Sequence, residues 1–205
     1  MIKKKRVAAI CRSQKELASH TTEGGEQWIG DSSAFYILAG IEPMSFDSLA
    51  SMLDYTEKNI REISFTEPRV TDDLFAEHNS TDIQIETPPK RVIIKNEEYL
   101  IFETGTKLLF IDGAYLKPIV ADDQTTYFMR TFRTSHGVHT ALCVKKGFLP
   151  EAVILGVKFT EEALHDLFDE LGGIINAVKD KYIYHLSEMR EMIDEQLKLE
   201  GNDEV

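Results

Sequence analysis

Cysteine is scarce in this chain, with 2 in 205 residues. Cys11 and Cys143 each lie in an apolar, strand-like run and form no spaced framework, which excludes a disulfide-stapled scaffold and predicts reduced core thiols. No apolar run approaches the ~18 residues that a membrane span requires, and the basic start is followed by neither a long apolar segment nor a small-residue cleavage site. No membrane association and no export signal are therefore expected, and a cytoplasmic location is. Basic residues are also in short supply: 23 against 35 acidic ones, a net charge of -12 and a pI near 5.0. That balance argues against a general nucleic-acid or acidic-lipid surface. Lys3-Lys4-Lys5-Arg6 is the one basic run, and beside the strand-like Val7-Ala8-Ala9-Ile10 it reads as a solvated tip.

The positive content begins with a faint internal repeat. Trp28-Ile29-Gly30-Asp31 precedes Ala34-Phe35, and Phe110-Ile111-Asp112-Gly113 precedes Ala114-Tyr115, so each half carries an aromatic-Ile turn with an acid and a glycine. Each copy then leads to a helix signal. Ser45 opens a run with Leu49, Met52, Leu53 and Asp54, and Thr160 opens one with Leu164, Leu167, Phe168 and Asp169. Apolar residues at these spacings share one helix face. Ser and Thr cap helix N-termini well, and Asp47, Glu161 and Glu162 place carboxylates at the positive end of the dipole. Any two amphipathic surface helices share such a pattern, and a true duplication requires an insertion of about two strands in the second copy.

The expected fold is α+β: a mostly antiparallel sheet with two packed amphipathic helices, an internal echo, and a C-terminal helix. Residues 1–66 form an N-terminal β/α half, with a strand over Val7 to Cys11, a polar stretch, a hairpin at Glu23-Gly24-Gly25-Glu26, a helix over 45–55 and a strand over 60–66. Residues 67–90 are polar and punctuated by Pro68, Pro88 and Pro89, which predicts a linker or irregular segment. Residues 91–179 read as a β-rich half, with strands near 91–95, 99–104, 107–111, 126–134, 140–145 and 152–157, then a helix over 160–171. No helix-sized segment separates these strands, so an antiparallel meander is predicted. Residues 180–205 form a C-terminal helix and tail, with Leu186, Met189, Ile193 and Leu197 on one face.

Few side-chain constellations suggest chemistry. His136-Gly-Val-His139 with Cys143 offers zinc-type ligands, but residues 136 and 139 face opposite sides of a strand and no second ligand pair stands nearby, so no metal and no cofactor are expected. Glu162 and His165 have the spacing of a helical di-metal pair without its partners. Asp31, beside Ser32 and Ser33, and Asp112, beside Gly113, occupy the echoed turns. Ordinary turn chemistry explains both. Together with His136 they would be the catalytic candidates of an unfamiliar enzyme. The aromatics Trp28, Phe35, Tyr36, Phe110 and Tyr115 have acidic or neutral neighbours, which favours a core over a base-stacking surface.

The segments Gln27 to Asp31 and Phe110 to Pro118 resemble those of uncharacterised proteins from bacterial phage and prophage gene sets. The resemblance implies a context and assigns no catalytic residue. It leads to the expectation of a non-catalytic binding or assembly protein with a protein partner. The stripe of Leu186, Met189, Ile193 and Leu197 is the expected contact, pairing in a homodimer. A sliding-clamp-like processivity accessory is an alternative, but helices facing DNA need Lys or Arg to displace counterions, and the runs at 45–55 and 160–171 have none. Nucleic acid is accordingly the less expected partner.

Overall fold

The computed structural model describes residues 2–68, 70–94, 96–105, 107–134 and 137–157. The expected helix at 160–171, the C-terminal stripe of Leu186, Met189, Ile193 and Leu197, and His136 lie outside the described residues. The described part is α+β and mostly antiparallel, with three α-helices.

The first element corrects the sequence reading. Lys4–Gln14 is an α-helix, α1, and the predicted strand over Val7 to Cys11 lies within it. Val7, Ala8 and Cys11 fall on one helical face and are buried, while Lys4, Lys5 and Arg6 form its first turn in solvent. A five-residue apolar run is ambiguous by itself. Here the alanines and the flanking long straight side chains favour helix, whereas only Val7 and Ile10 favour strand. Lys15 closes the helix in the left-handed region (φ 54), its amide bonding the Arg12 and Cys11 carbonyls.

The stretch after α1, read from the sequence only as polar, contains strand β1, Glu16–Thr21. It pairs across the expected Gly24-Gly25 hairpin with β2, Gln27–Gly30, and β3, Ala34–Ile37, follows. Helix α2, Phe46–Met52, is capped by the Ser45 side chain as expected and buries Leu49 and Ala50. The predicted strand over 60–66 is corrected to a helix, α3, Glu57–Glu62, followed by a three-residue strand, β4, Ser64–Thr66. The cause is local: Thr56 and Asn59 form a reciprocal capping box that starts a helix one turn upstream of Ile60.

Between residues 67 and 90 the chain makes a 3-10 turn at Asp72–Leu74 and a short strand, β5, Ile83–Ile85. Then come β6 (Lys90–Ile94), β7 (Glu97–Thr104) and β8 (Lys107–Asp112), a three-stranded meander of its own. A 3-10 turn, Gly113–Leu116, leads to β9 (Thr125–Thr134), β10 (Gly137–Lys146) and β11 (Leu149–Leu155).

The principal sheet has the order β4-β1-β2-β3-β11-β10-β9-β5, and β1 with β4 is its parallel pair. The β3–β11 pairing, Tyr36 opposite Ala152, joins strands from opposite ends of the described chain. Both faces are covered, so alternate residues serve different cores. Ile29, Tyr36, Leu142 and Ile154 pack with α1, α2 and Phe102, Leu109 and Ile111 of the small sheet. Trp28, Phe35, Cys143 and Val153 pack on the other face with Leu74 and Phe75. Among the described residues no helix is long and apolar enough to cross a membrane.

Candidate functional site

The two echoed turns meet. Asp31 follows a glycine that nothing larger can replace, since a Cβ on Gly30 would lie 1.7 Å from the Ala34 carbonyl oxygen. In this tight turn the Asp31 Oδ1 accepts the Ser33 and Ala34 amides at 2.8 and 2.9 Å. Its Oδ2 accepts the Tyr115 hydroxyl at 3.0 Å, and the Tyr115 carbonyl accepts the Tyr36 hydroxyl at 2.7 Å. The first turn thus holds the aromatic residue of the second, and the second holds an aromatic residue from the strand after the first. Asp112 stabilises its own turn, its Oδ1 accepting the Ala114 amide at 2.8 Å as the cap of Gly113–Leu116. Gly113 is closely packed as well: a Cβ there would lie 3.2 Å from Glu98, which would have to give by a few tenths of an ångström.

Electrostatics follow from this burial. Burial raises the Asp31 carboxyl above its usual range, against the lowering effect of its hydrogen bonds from Ser33, Tyr115 and Ala34. The Tyr115 and Tyr36 phenols are both pushed upward, first by burial and then by the Asp31 charge. Cys11, whose thiol donates to the Gly30 carbonyl at 3.1 Å, is raised to about 12 by burial and the same carboxylate. The two phenols and the Cys11 thiol stay protonated at neutral pH, which suits hydrogen-bond donation rather than proton abstraction. Replacing Asp31 by Ala is expected to cost about 1–3 kcal/mol, the range for orphaning buried donors. Asp31→Asn keeps an acceptor for Ser33 and Ala34 and should cost less, a difference that urea denaturation of the two variants resolves.

On the solvent side of this network lies a cleft of about 630 Å³. Asp112, Tyr115 and Ser33 meet Tyr99 on one wall, which is the cross-strand partner of Asp112. His139 and Thr140 of β10 form another, and Leu108 and Val138, both more than half exposed, stand at the cleft with them. Tyr99 donates to Glu97 Oε2 at 2.5 Å, and that bond raises its phenol to about 12. The His139 ring stacks on Phe132, centroids 5.5 Å apart, and its buried Nε2 has no hydrogen-bond partner among the described residues.

Of the residues singled out in the sequence, Asp112 reaches the cleft and Asp31 is 1 % exposed behind Tyr115. His139 lines the cleft, whereas Cys143 is buried in the core four positions along the same strand, a separation of ~13 Å. Among the described residues no group of three His, Cys, Asp or Glu could hold a metal ion. Trp28, Phe35 and Tyr36 are core residues. Ser33, singled out beside Asp31, reaches the cleft, and sequence reasoning overlooked Tyr99 and Thr140. The alternation of β7 and β8 could have paired Tyr99 with Asp112, but Thr140 enters through long-range pairing that no local pattern announces.

No family model, curated protein or solved structure matches the chain.

Proposed function

We propose that this is a non-catalytic binding protein, of the phage or prophage type that the segments 27–31 and 110–118 resemble, and that its site is the cleft beside Asp112 and His139. One observation carries the reading: Asp31 lies behind Tyr115 with both oxygens occupied, and Asp112 spends its Oδ1 on the cap of its own turn, so the two carboxylates serve the turns that frame the cleft. Its volume suits a small molecule or an inserted side chain, for which sites of ~300–1,000 Å³ with an apolar lining and a few polar groups are usual. The second reading, an enzyme, is favoured by the meeting of Asp112, Tyr115 and His139 at one cleft.

The neutral fluorophore prodan tests the reading. Prodan should bind the full chain with blue-shifted emission, and Thr140→Trp, which fills the cleft, should weaken it at least tenfold. A second apolar groove of about 630 Å³, lined by Leu38, Ile41, Pro43 and Leu149, supplies the control. If Leu149→Asp abolishes the signal and Thr140→Trp leaves it intact, the cleft is not the site. Asp112→Asn retains the cap, since Asn caps as well as Asp, and should leave both the melting temperature and prodan affinity unchanged.

A further inference from the structure

The structure turns the one basic run of the sequence into a helical face. Lys3, Lys4, Lys5, Arg6, Arg12 and Lys15 lie on or beside α1, all exposed, and no carboxylate interrupts the segment before Glu16. Among the described residues none of these six lies within 4 Å of a carboxylate oxygen. Elsewhere Lys58 and Arg61 pair with Glu62 and Glu57, and Lys90 and Arg91 pair with Glu103 and Glu98, while the other exposed cations without an ion pair among the described residues, such as Lys107 and Arg133, stand singly. Among the described residues of this acidic protein, a cluster of six such cations is a local feature with its own field.

Its shape is specific. The buried side of α1 is Val7, Ala8 and Cys11, which leaves Ala9 and Ser13 along the middle of the exposed side. At 3.6 residues per turn, Lys5 and Arg12 flank these small residues on one side and Arg6 on the other. The Lys3 amide donates to the Pro118 carbonyl at 2.7 Å, which brings Lys117 alongside, and Arg6, Ala9, Ser13 and Lys117 share a shallow groove of about 190 Å³ with Asp112 and Tyr115, so the phosphate contacts fall on the outer cations rather than in the groove.

We propose that α1 is a contact surface for the phosphodiester backbone of a nucleic acid, an interaction separate from the cleft. Small residues let the backbone approach the helix axis, and the flanking cations displace counterions from the phosphates. An anionic membrane fits less well. A helix lying on a bilayer inserts large apolar side chains, whereas the apolar side of α1 is spent on the protein core and its free side is centred on Ala9 and Ser13.

Fluorescence anisotropy with the full chain tests this, using labelled duplex DNA, single-stranded DNA and single-stranded RNA of random sequence. Binding to at least one is expected, weakening on the order of 50-fold between ~50 and ~200 mM salt if three or four phosphates are neutralised. The combined variant Lys5→Gln, Arg6→Gln, Arg12→Gln should weaken binding at least tenfold and flatten the salt dependence. Arg12 sits over the Tyr55 ring at 5.7 Å. A second variant, Lys4→Gln, Lys5→Gln, Arg6→Gln, therefore leaves that contact in place and should behave alike. The control Lys90→Gln, Arg91→Gln, Lys107→Gln changes net charge equally and should stay within twofold of the parent. No binding at low salt, an equal loss in control and α1 variants, or binding to phosphatidylserine vesicles in preference to all three nucleic acids would overturn the proposal. Which of the three binds best identifies the class of nucleic acid.

Discussion

Asp82→Ala is expected to destabilise the protein by about 3–5 kcal/mol, the usual cost of leaving a buried charge without its partner. Arg130 of β9 is fully buried and grips both oxygens of Asp82, Nε to Oδ1 and Nη2 to Oδ2, each at 2.7 Å. Lys145 of β10 donates to the same Oδ2 at 2.9 Å and to the Glu77 carbonyl at 2.7 Å, with its ammonium 4.2 Å from the Phe128 ring centroid. The remaining Arg130 nitrogen, Nη1, donates to the Leu74 carbonyl at 2.8 Å and the Asp73 carbonyl at 3.3 Å. One carboxylate and three carbonyls of the 73–82 segment thus neutralise or solvate two buried cations. Removing the carboxylate strands both cations in the core, and Asp82→Asn should be nearly as damaging because it keeps the shape and loses the charge. Equilibrium urea denaturation measures both.

The same cluster sets a pH dependence. Burial alone would raise the Asp82 carboxyl, but its bonds to Arg130 and Lys145 outweigh burial and hold it below the usual range. Its contribution is therefore complete above the unfolded value, ~3.9, and is lost as pH falls through the lowered folded value. Asp31 acts in the opposite sense. Its folded value is raised, so its ionisation costs stability at neutral pH and that cost is relieved as pH falls through the folded value. Asp31→Asn should remove this mildly acid-side gain while the steeper loss due to Asp82 remains.

Phe75→Ala should cost a similar ~3–5 kcal/mol. Phe75 is 1 % exposed and is the aromatic hub of the second core: its ring centroid lies 4.8 Å from Trp28, 5.5 Å from Phe35 and 4.9 Å from His20. His20 in turn meets Asp72 at 3.0 Å. Phe75 and Asp82 fasten the same segment across the same sheet face, so their losses should not add. Once one fastening is cut, the segment opens and the other loses most of its value. Hydrogen exchange should show the Leu74, Phe75 and Ile85 amides losing protection together in either variant. Protection lost only near the substituted residue would contradict the shared role.

Much of the fold was legible because short-range signals agreed with long-range packing. Gly24-Gly25 announced its hairpin, Ser45 its helix, and the alternation from residue 90 onward its strands. Failures fell where local patterns were ambiguous or too short. The run from Val7 to Cys11 was too short to fix a period, and only its alanines and charged flanks argued for helix. Glu16 to Thr21 looked polar although Leu17, Ala18 and Ser19 are buried. The three-residue strands β4 and β5 take their register from the neighbouring β1 and β9, which leaves little to read in them alone. At the site, the turn chemistry of Asp31 and Asp112 was readable, but their link through Tyr115 depends on the β3–β11 pairing. The Arg130, Lys145 and Asp82 cluster went unnoticed because charged residues in strands read as solvent-facing. Yet Arg130 and Lys145 stand on the same side of their strands as Ala141 and Cys143, which are core residues.

The central claim, a binding cleft scaffolded by Asp31 and Asp112, is tested most directly by where a bound molecule is felt. Backbone amide spectra of the full chain, recorded with increasing prodan, should shift first and most at Val138, His139, Thr140 and Gly156. Shifts confined to Ile37 to Pro43 and Leu149 to Glu151, with those four residues unmoved, would contradict it.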